Sequence, residues 1–313
     1  MLSKKNTIPC DVPEAMHTLY THNMQTLFKD NVPCIIFAFD QKLEHASTDF
    51  IGTSIDEEAS NPAHAFSIAA TSNSTPVSST AGNSTAGSSV ARPAAERPIN
   101  ALATHLGLIA RYAQDFPQLA YIAKLNGKTN LLKKEESDPL SRQLWSVDDV
   151  LQLTEQGVNI IGIGYTIYLG SEHESIMLQE AAQCINQAHE NGLLAIIWAY
   201  PRGKSITNER DPFIIAGAAG VAASLGADVV KINAPDAKDG KSTQAWLTEI
   251  VKAAGTTKVI CAGGPQKDAA TFIAEIASYC AAGASGVALG RNLFQRSHKE
   301  AVALAQALRA SLK

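Results

Sequence analysis

Eight short apolar runs recur along this chain, separated by longer segments of helical periodicity. The runs are PCIIFAF (33–39), INALATH (99–105), AYIAKLN (120–126), VNIIGIGYT (158–166), LLAIIWAY (193–200), ADVVKIN (227–233), KVICAGG (258–264) and SGVALG (285–290). Each is almost continuously apolar rather than alternating, the pattern of parallel strands covered on both faces. Between them SIMLQEAAQCINQAHENG (175–192), DPFIIAGAAGVAASLG (211–226) and DAATFIAEIASYCAAG (268–283) read as helices, the first stopped by Asn191-Gly192. Eight βα units predict an α/β fold, a single (β/α)8 TIM barrel over residues 1–313, with an N-terminal helical extension in residues 1–30. A doubly wound sheet would bring a glycine-rich turn after its first strand, and DQKLEH stands there instead.

One segment breaks the pattern. Thr71 to Glu96 reads TSNSTPVSSTAGNSTAGSSVARPAAE and has almost no large apolar side chain. Such a composition buries too little surface to offset the entropy of ordering, so a flexible surface insertion is expected over 71–96. The formal net charge of −4 argues against a nucleic-acid surface but leaves room for a local basic pocket facing a phosphorylated small molecule. Five cysteines, odd in number, widely spaced and without a CxxC pair, read as reduced thiols of a cytoplasmic protein. MLSKKNTIPC lacks the apolar stretch of a secretory signal, and no run approaches the ~20 apolar residues of a membrane span.

Barrel enzymes place reacting groups at the C-terminal ends of their strands, and polar residues collect at those ends here. They are Asp40, Gln41, Lys42, Glu44 and His45 after the first strand, and Lys124, Asn126 and Lys128 at the third. Tyr165, Tyr168 and Glu172 follow at the fourth, Trp198, Tyr200 and Arg202 at the fifth, and Lys231 and Asn233 at the sixth. Lys231 lies between Val230 and Ile232; if those two face the helices, alternation turns Lys231 into the barrel. Desolvation there, helped by Lys124 if it also faces inward, would favour the neutral amine, a nucleophile for a carbonyl carbon. A lysine paired with an inward carboxylate such as Asp40 is an equally good reading of the same stretch. AGGP after the seventh strand and GRN after the eighth put small residues, amide N–H groups and Arg291 where barrels hold phosphate. Tyr200, on the same strand face as Trp198, could exchange a proton near the lysine or simply pack in the core. The eight histidines show neither HxxxH nor HxH spacing, so no metal ligand set emerges.

DQKLEH, KLNGKTNL, GYTIYLGSEHE, WAYPRGKSITNERDP, GADVVKIN, AGGP and GVALGRN follow one another in this order. Together, from about Cys34 to Ala307, the chain resembles the archaeal-type class I fructose-bisphosphate aldolases of the DeoC/FbaB aldolase family. The resemblance implies a metal-free, cofactor-free lyase that splits fructose 1,6-bisphosphate through a Schiff base, or a related transaldolase or thiolase on another phosphorylated ketose; a sugar-phosphate-binding barrel that has lost catalysis is the remaining alternative. It implies Lys231 as the imine-forming residue, with Tyr200 and Asp40 as the other catalytic groups. Substrate-binding positions implied in the same way are Gln41, His45, Asp49, Trp198, Ala199, Val229, Val230, Ala262, Gly263, Gly264, Gly290 and Arg291. It further implies a sugar-phosphate partner and a homo-oligomer. The chain departs from the family's first motif at Lys42 and Ala46, where glycine is common, and the 71–96 insertion is not a feature of the family.

Overall fold

The computed structural model describes residues 8–29, 32–76, 89–91, 97–131 and 138–312. Its strands are β1 (Cys34–Ala38), β2 (Ala101–His105), β3 (Tyr121–Lys124), β4 (Ile160–Leu169), β5 (Leu194–Pro201), β6 (Val229–Ile232), β7 (Lys258–Ala262) and β8 (Gly286–Leu289). All eight apolar runs are therefore strands. They pair in parallel with their sequence neighbours, and β8 pairs with β1, closing the barrel.

Strand alternation divides the core into two layers. Ile36, Ala103, Ile122, Ile196, Val229 and Ile260 fill the barrel, while Ile35, Leu102, Ile163, Ile197, Val230 and Val259 face the surrounding helices. Both faces are buried, which is why the runs are apolar throughout. After a helix before the strands, α1 (His17–Leu27), the outer layer is built from α2 (Pro62–Ser72), α3 (Leu106–Tyr112), α4 (Val147–Glu155), α5 (Glu174–Glu190), α6 (Pro212–Ser224), α7 (Thr243–Ala253), α8 (Ala269–Ala281) and α9 (His298–Ser311). Local chemistry starts several of them. Asn61 and Asp211 cap helices whose first residue is proline, and Ser146 and Ser297 form reciprocal capping boxes with Asp149 and Glu300.

The expected N-terminal extension is α1 with the turn before it. Val12, Tyr20, Met24, Leu27 and Phe28 join the interior layer and plug the N-terminal end of the barrel. A polar knot fastens the plug. The buried imidazole of His189 contacts Asp11 at 2.8 Å through Nδ1 and Asp228 at 3.1 Å through Nε2, while the Tyr20 hydroxyl donates to Asp228. With that end closed, chemistry is left to the opposite mouth.

Of the expected 71–96 insertion, residues 77–88 and 92–96 lie outside the described residues. Its described parts are not all coil: Ser74–Pro76 pairs antiparallel with Ser89–Ala91. Among the described residues no helix is long and apolar enough to cross a membrane.

Candidate active site at the barrel mouth

Strand register sets the centre of the site. Lys231 pairs with Trp198 of β5, which pairs with Thr166 of β4. Val230 and Ile232 do face the helices, so Lys231 points inward; it is 3% exposed, and its Nζ lies 5.1 Å from the centre of the Trp198 ring. The Nζ of Lys124, at the end of β3, lies 5.4 Å from the same ring on a fully buried side chain. The ring fits because residue 164 is glycine: a Cβ there would sit 2.5 Å from Trp198 Cζ3.

The two lysines differ in their partners. Lys124 is ion-paired with Glu44, has Asp40 Oδ2 at 4.0 Å and donates to the Asn126 carbonyl at 3.3 Å. Lys231 has no carboxylate within 4.0 Å among the described residues. Burial lowers its pKa; Asp40 and Glu44 oppose this from a distance, and the Arg291 guanidinium adds to it. The ion pair with Asp40, one of two readings open from sequence, is thus made by Lys124. Lys124 also faces the mouth, but its ammonium is met by Glu44 and Asp40; burial comes first among the causes that lower the Lys231 pKa.

Glu44 sits in a turn, Gln41–Glu44, that follows β1 directly. Burial would raise its pKa, but Lys124 and His105 hold it below the usual carboxylate range. His105 Nε2 is 3.6 Å from Glu44 and donates to the Asn126 carbonyl at 3.2 Å. Asn126 ties these loops together, donating to the carbonyls of Ser141 and Thr166 and accepting from Thr166 N–H. His105 was missed as a site residue; its only sequence signal is its place at the end of the second apolar run.

Tyr200, on the same inward face as Trp198, is half-buried. Burial and the nearby Asp40 carboxylate raise its pKa, so the hydroxyl rests as a phenol. Asp40, Glu44 and Arg291 influence both Tyr200 and Lys231, which places the amine and the phenol in one electrostatic environment. Buried atoms with no hydrogen-bond partner gather here: Asp40 Oδ1, Gln41 Oε1, Thr166 Oγ1 and Trp198 Nε1. Buried polar atoms are usually paired, so such a group marks where a polar ligand would bind.

The loops after β7, β8 and β1 form one corner. Asn292 donates to the carbonyls of Gly263 and Pro265 and accepts from Lys267 N–H, clamping the Gly263-Gly264 turn to the turn Arg291–Phe294. Gly290 is required by close approach: a Cβ would lie 2.6 Å from both the Ala38 carbonyl oxygen and Gln41 Nε2. His45 Nδ1 donates to Asp49 at 2.5 Å, and Arg291 Nη1 lies 3.8 Å from the same carboxylate oxygen. Burial pushes the Asp49 pKa up, but His45 and Arg291 outweigh it and hold it low. Arg291, the glycine turns and the first N–H groups of the Arg291 turn make a corner suited to an anion.

Several expected positions lie elsewhere. The side chains of Ala199 and Val230 are in the outer layer, because alternation turns them toward the helices, and Val229 faces inward below Lys231. Tyr165 also faces outward, where its hydroxyl donates to Glu180. Lys42 donates to the Ser60 carbonyl at 2.6 Å and lies over the Phe50 ring. Glu172 is on the surface beside His173.

The family model described as DeoC/LacD family aldolase matches residues 34–296. A Methanocaldococcus jannaschii protein named fructose-bisphosphate aldolase/6-deoxy-5-ketofructose 1-phosphate synthase is 42% identical over 303 residues, 96% of this chain and 88% of that protein. A class 1 fructose-bisphosphate aldolase of Thermoproteus tenax is 31% identical over 289 residues, 92% of each chain. Among solved structures, the fructose-bisphosphate aldolase of Slackia heliotrinireducens superposes with a TM-score of 0.87 at 41% identity, covering 98% of this chain and 90% of that one. An archaeal fructose-1,6-bisphosphate aldolase, solved with its catalytic lysine bound to the carbinolamine intermediate, superposes with a TM-score of 0.72 at 28% identity, covering 94% and 99%.

Proposed function

We propose, for a chain that belongs to the DeoC/LacD family of aldolases, that it is a class I fructose-bisphosphate aldolase working through an imine on Lys231. The observation that carries this reading is the contrast between the two lysines at the mouth: Lys124 is ion-paired, and Lys231 is buried with no partner carboxylate among the described residues. A desolvated, unpaired lysine has a larger neutral fraction than one held by a carboxylate, and only the neutral amine attacks a carbonyl.

The steps follow from the groups present. Lys231 Nζ attacks C2 of fructose 1,6-bisphosphate to give a carbinolamine. Tyr200, resting as a phenol, donates its proton to the departing hydroxyl; water leaves and the iminium forms. The phenolate so generated takes the C4 hydroxyl proton as the C3–C4 bond breaks, releasing glyceraldehyde 3-phosphate. The electron pair passes to the iminium as an enamine, and Tyr200 returns its proton to C3. Hydrolysis then frees dihydroxyacetone phosphate and the amine. Phenolate is thus needed only after the phenol has acted as acid, which reconciles the raised pKa with both roles. Asp40 Oδ1 is a free acceptor for a substrate hydroxyl, as are Gln41 Oε1 and Thr166 Oγ1. The corner of Gly263, Gly264, Gly290 and Arg291 takes one phosphate, with His45 and Asp49 orienting Arg291. Ala262 supplies the strand end before that corner, and Trp198 the wall beside the imine.

A second reading shares the first half of this sequence. The Methanocaldococcus relative's name includes 6-deoxy-5-ketofructose 1-phosphate synthase, and an enamine on Lys231 could be captured by another aldehyde. Measuring fructose 1,6-bisphosphate cleavage beside three-carbon-unit transfer to a dicarbonyl acceptor separates the two. Faster cleavage supports the aldolase, and transfer without cleavage contradicts it. We also propose a cytoplasmic homo-oligomer, which light scattering on the purified protein tests.

A further inference from the structure

Two lysines share one wall of the barrel mouth, and the acids there are shared unequally. Lys124 is paired with Glu44 and has Asp40 at 4.0 Å, whereas Lys231, on the same Trp198 ring, has neither within 4.0 Å. His105 adds a second hold on Glu44 at 3.6 Å, and the Asn126 carbonyl receives both Lys124 and His105. The arrangement is over-determined around Lys124 and sparse around Lys231.

We propose that Lys124 is a positioning residue: its ammonium captures Glu44 and Asp40, and so leaves Lys231 without a counter-ion in the same pocket. The proposal rests on the reading of Lys231 as the imine-forming residue for its significance, though not for its test. Without Lys124, two buried carboxylates would face a single lysine and hold it as an inert ammonium. Without Glu44, the charge of Lys124 would stand uncompensated beside Lys231 and disfavour a second ammonium. Removing either partner therefore moves Lys231 in opposite directions, which loss of packing would not do. The charged and titratable groups around Lys231 are Asp40 and Glu44 after β1, His105 on β2, Lys124 on β3, Tyr168 on β4, Tyr200 and Arg202 at β5, and Arg291 after β8. Among the described residues Lys124 alone reaches both acids of the first loop that bear on Lys231, while His105 reaches Glu44 but not Asp40.

The test is competitive labelling of the full-length protein with trace acetic anhydride across pH, read at Lys231 by peptide mass spectrometry. Borohydride trapping with dihydroxyacetone phosphate is run in parallel. Lys124→Met should raise the titration midpoint of Lys231 by about one pH unit or more, the usual effect of an opposite charge within a few ångströms. Glu44→Gln should lower the midpoint, and Lys124→Arg should leave it near the wild-type value. A midpoint unchanged or lowered in Lys124→Met, or unchanged or raised in Glu44→Gln, overturns the proposal, and each folded variant decides by itself. Opposed midpoint shifts without any trapped adduct would sink the aldolase reading and keep this one; an adduct with unshifted midpoints would do the reverse.

Discussion

Lys231 pairs with Trp198 across adjacent parallel strands, and its Nζ lies 5.1 Å from the centre of the indole ring. The ring offers the amine an apolar wall and a weak cation–π contact in place of a carboxylate. That exchange separates a reactive lysine from a structural one, and several consequences can be measured.

Tyr200→Phe removes the phenolic proton and keeps the ring. Turnover of fructose 1,6-bisphosphate should fall roughly 10²- to 10⁴-fold, the usual worth of a positioned acid–base group. Attack by Lys231 should persist, so a borohydride-trappable adduct should still form, more slowly. Single-turnover kinetics beside trapping checks this, and unchanged turnover would remove Tyr200 from the proton path.

Gly290→Ala forces a Cβ to within 2.6 Å of the Ala38 carbonyl oxygen and Gln41 Nε2. Overpacking of this kind costs about 1–3 kcal/mol and displaces the Arg291 turn. The KM for fructose 1,6-bisphosphate should rise more than kcat falls. Steady-state kinetics and thermal denaturation of the variant test both parts.

Glu44 has a folded-state pKa below its unfolded value, held there by Lys124 and His105 against burial. Its contribution to stability is complete above the unfolded pKa of ~4.3 and is lost as pH falls through the folded value. Glu44→Gln leaves the buried Lys124 ammonium with only the more distant Asp40 carboxylate at 4.0 Å and should cost ~3 kcal/mol near neutrality. The gap in melting temperature between wild type and variant should narrow from pH 6 to pH 3. A gap constant over that range would contradict the assignment.

His189 joins the N-terminal plug to the barrel through Asp11 and Asp228. Burial lowers its pKa, but the two carboxylates outweigh this and raise it. The stability it contributes is fully present below the unfolded pKa of ~6.5 and is lost as pH rises through the folded value. Hydrogen exchange in α1 should quicken from pH 6 to pH 9, after correction for intrinsic rates, and His189→Gln should already be fast at pH 6.

The barrel was legible because each strand is buried on both faces, so every strand is an unbroken apolar run. Lys231 was legible for the same reason, as an ionisable break in such a run with Val230 and Ile232 fixing its direction. Tyr165 was not, because β4 carries tyrosines at 165 and 168 and sequence alone does not say which faces the mouth; β4 also shifts register against β3 between Tyr121 and Ile122. The partnership of Lys124 with Glu44 was hidden because the two are 80 residues apart and meet only when β1 and β3 flank β2 in the closed barrel. Ala199 and Val230 were implied by motif position, which carries no information about which face of a strand a side chain occupies.

The central claim is an imine on Lys231. Wild-type protein treated with dihydroxyacetone phosphate and borohydride, digested and read by mass spectrometry, should carry the reduced three-carbon phosphate on the peptide containing Lys231. Lys231→Ala should show neither adduct nor turnover. An adduct on Lys124 instead, or full cleavage activity in Lys231→Ala, would contradict the account.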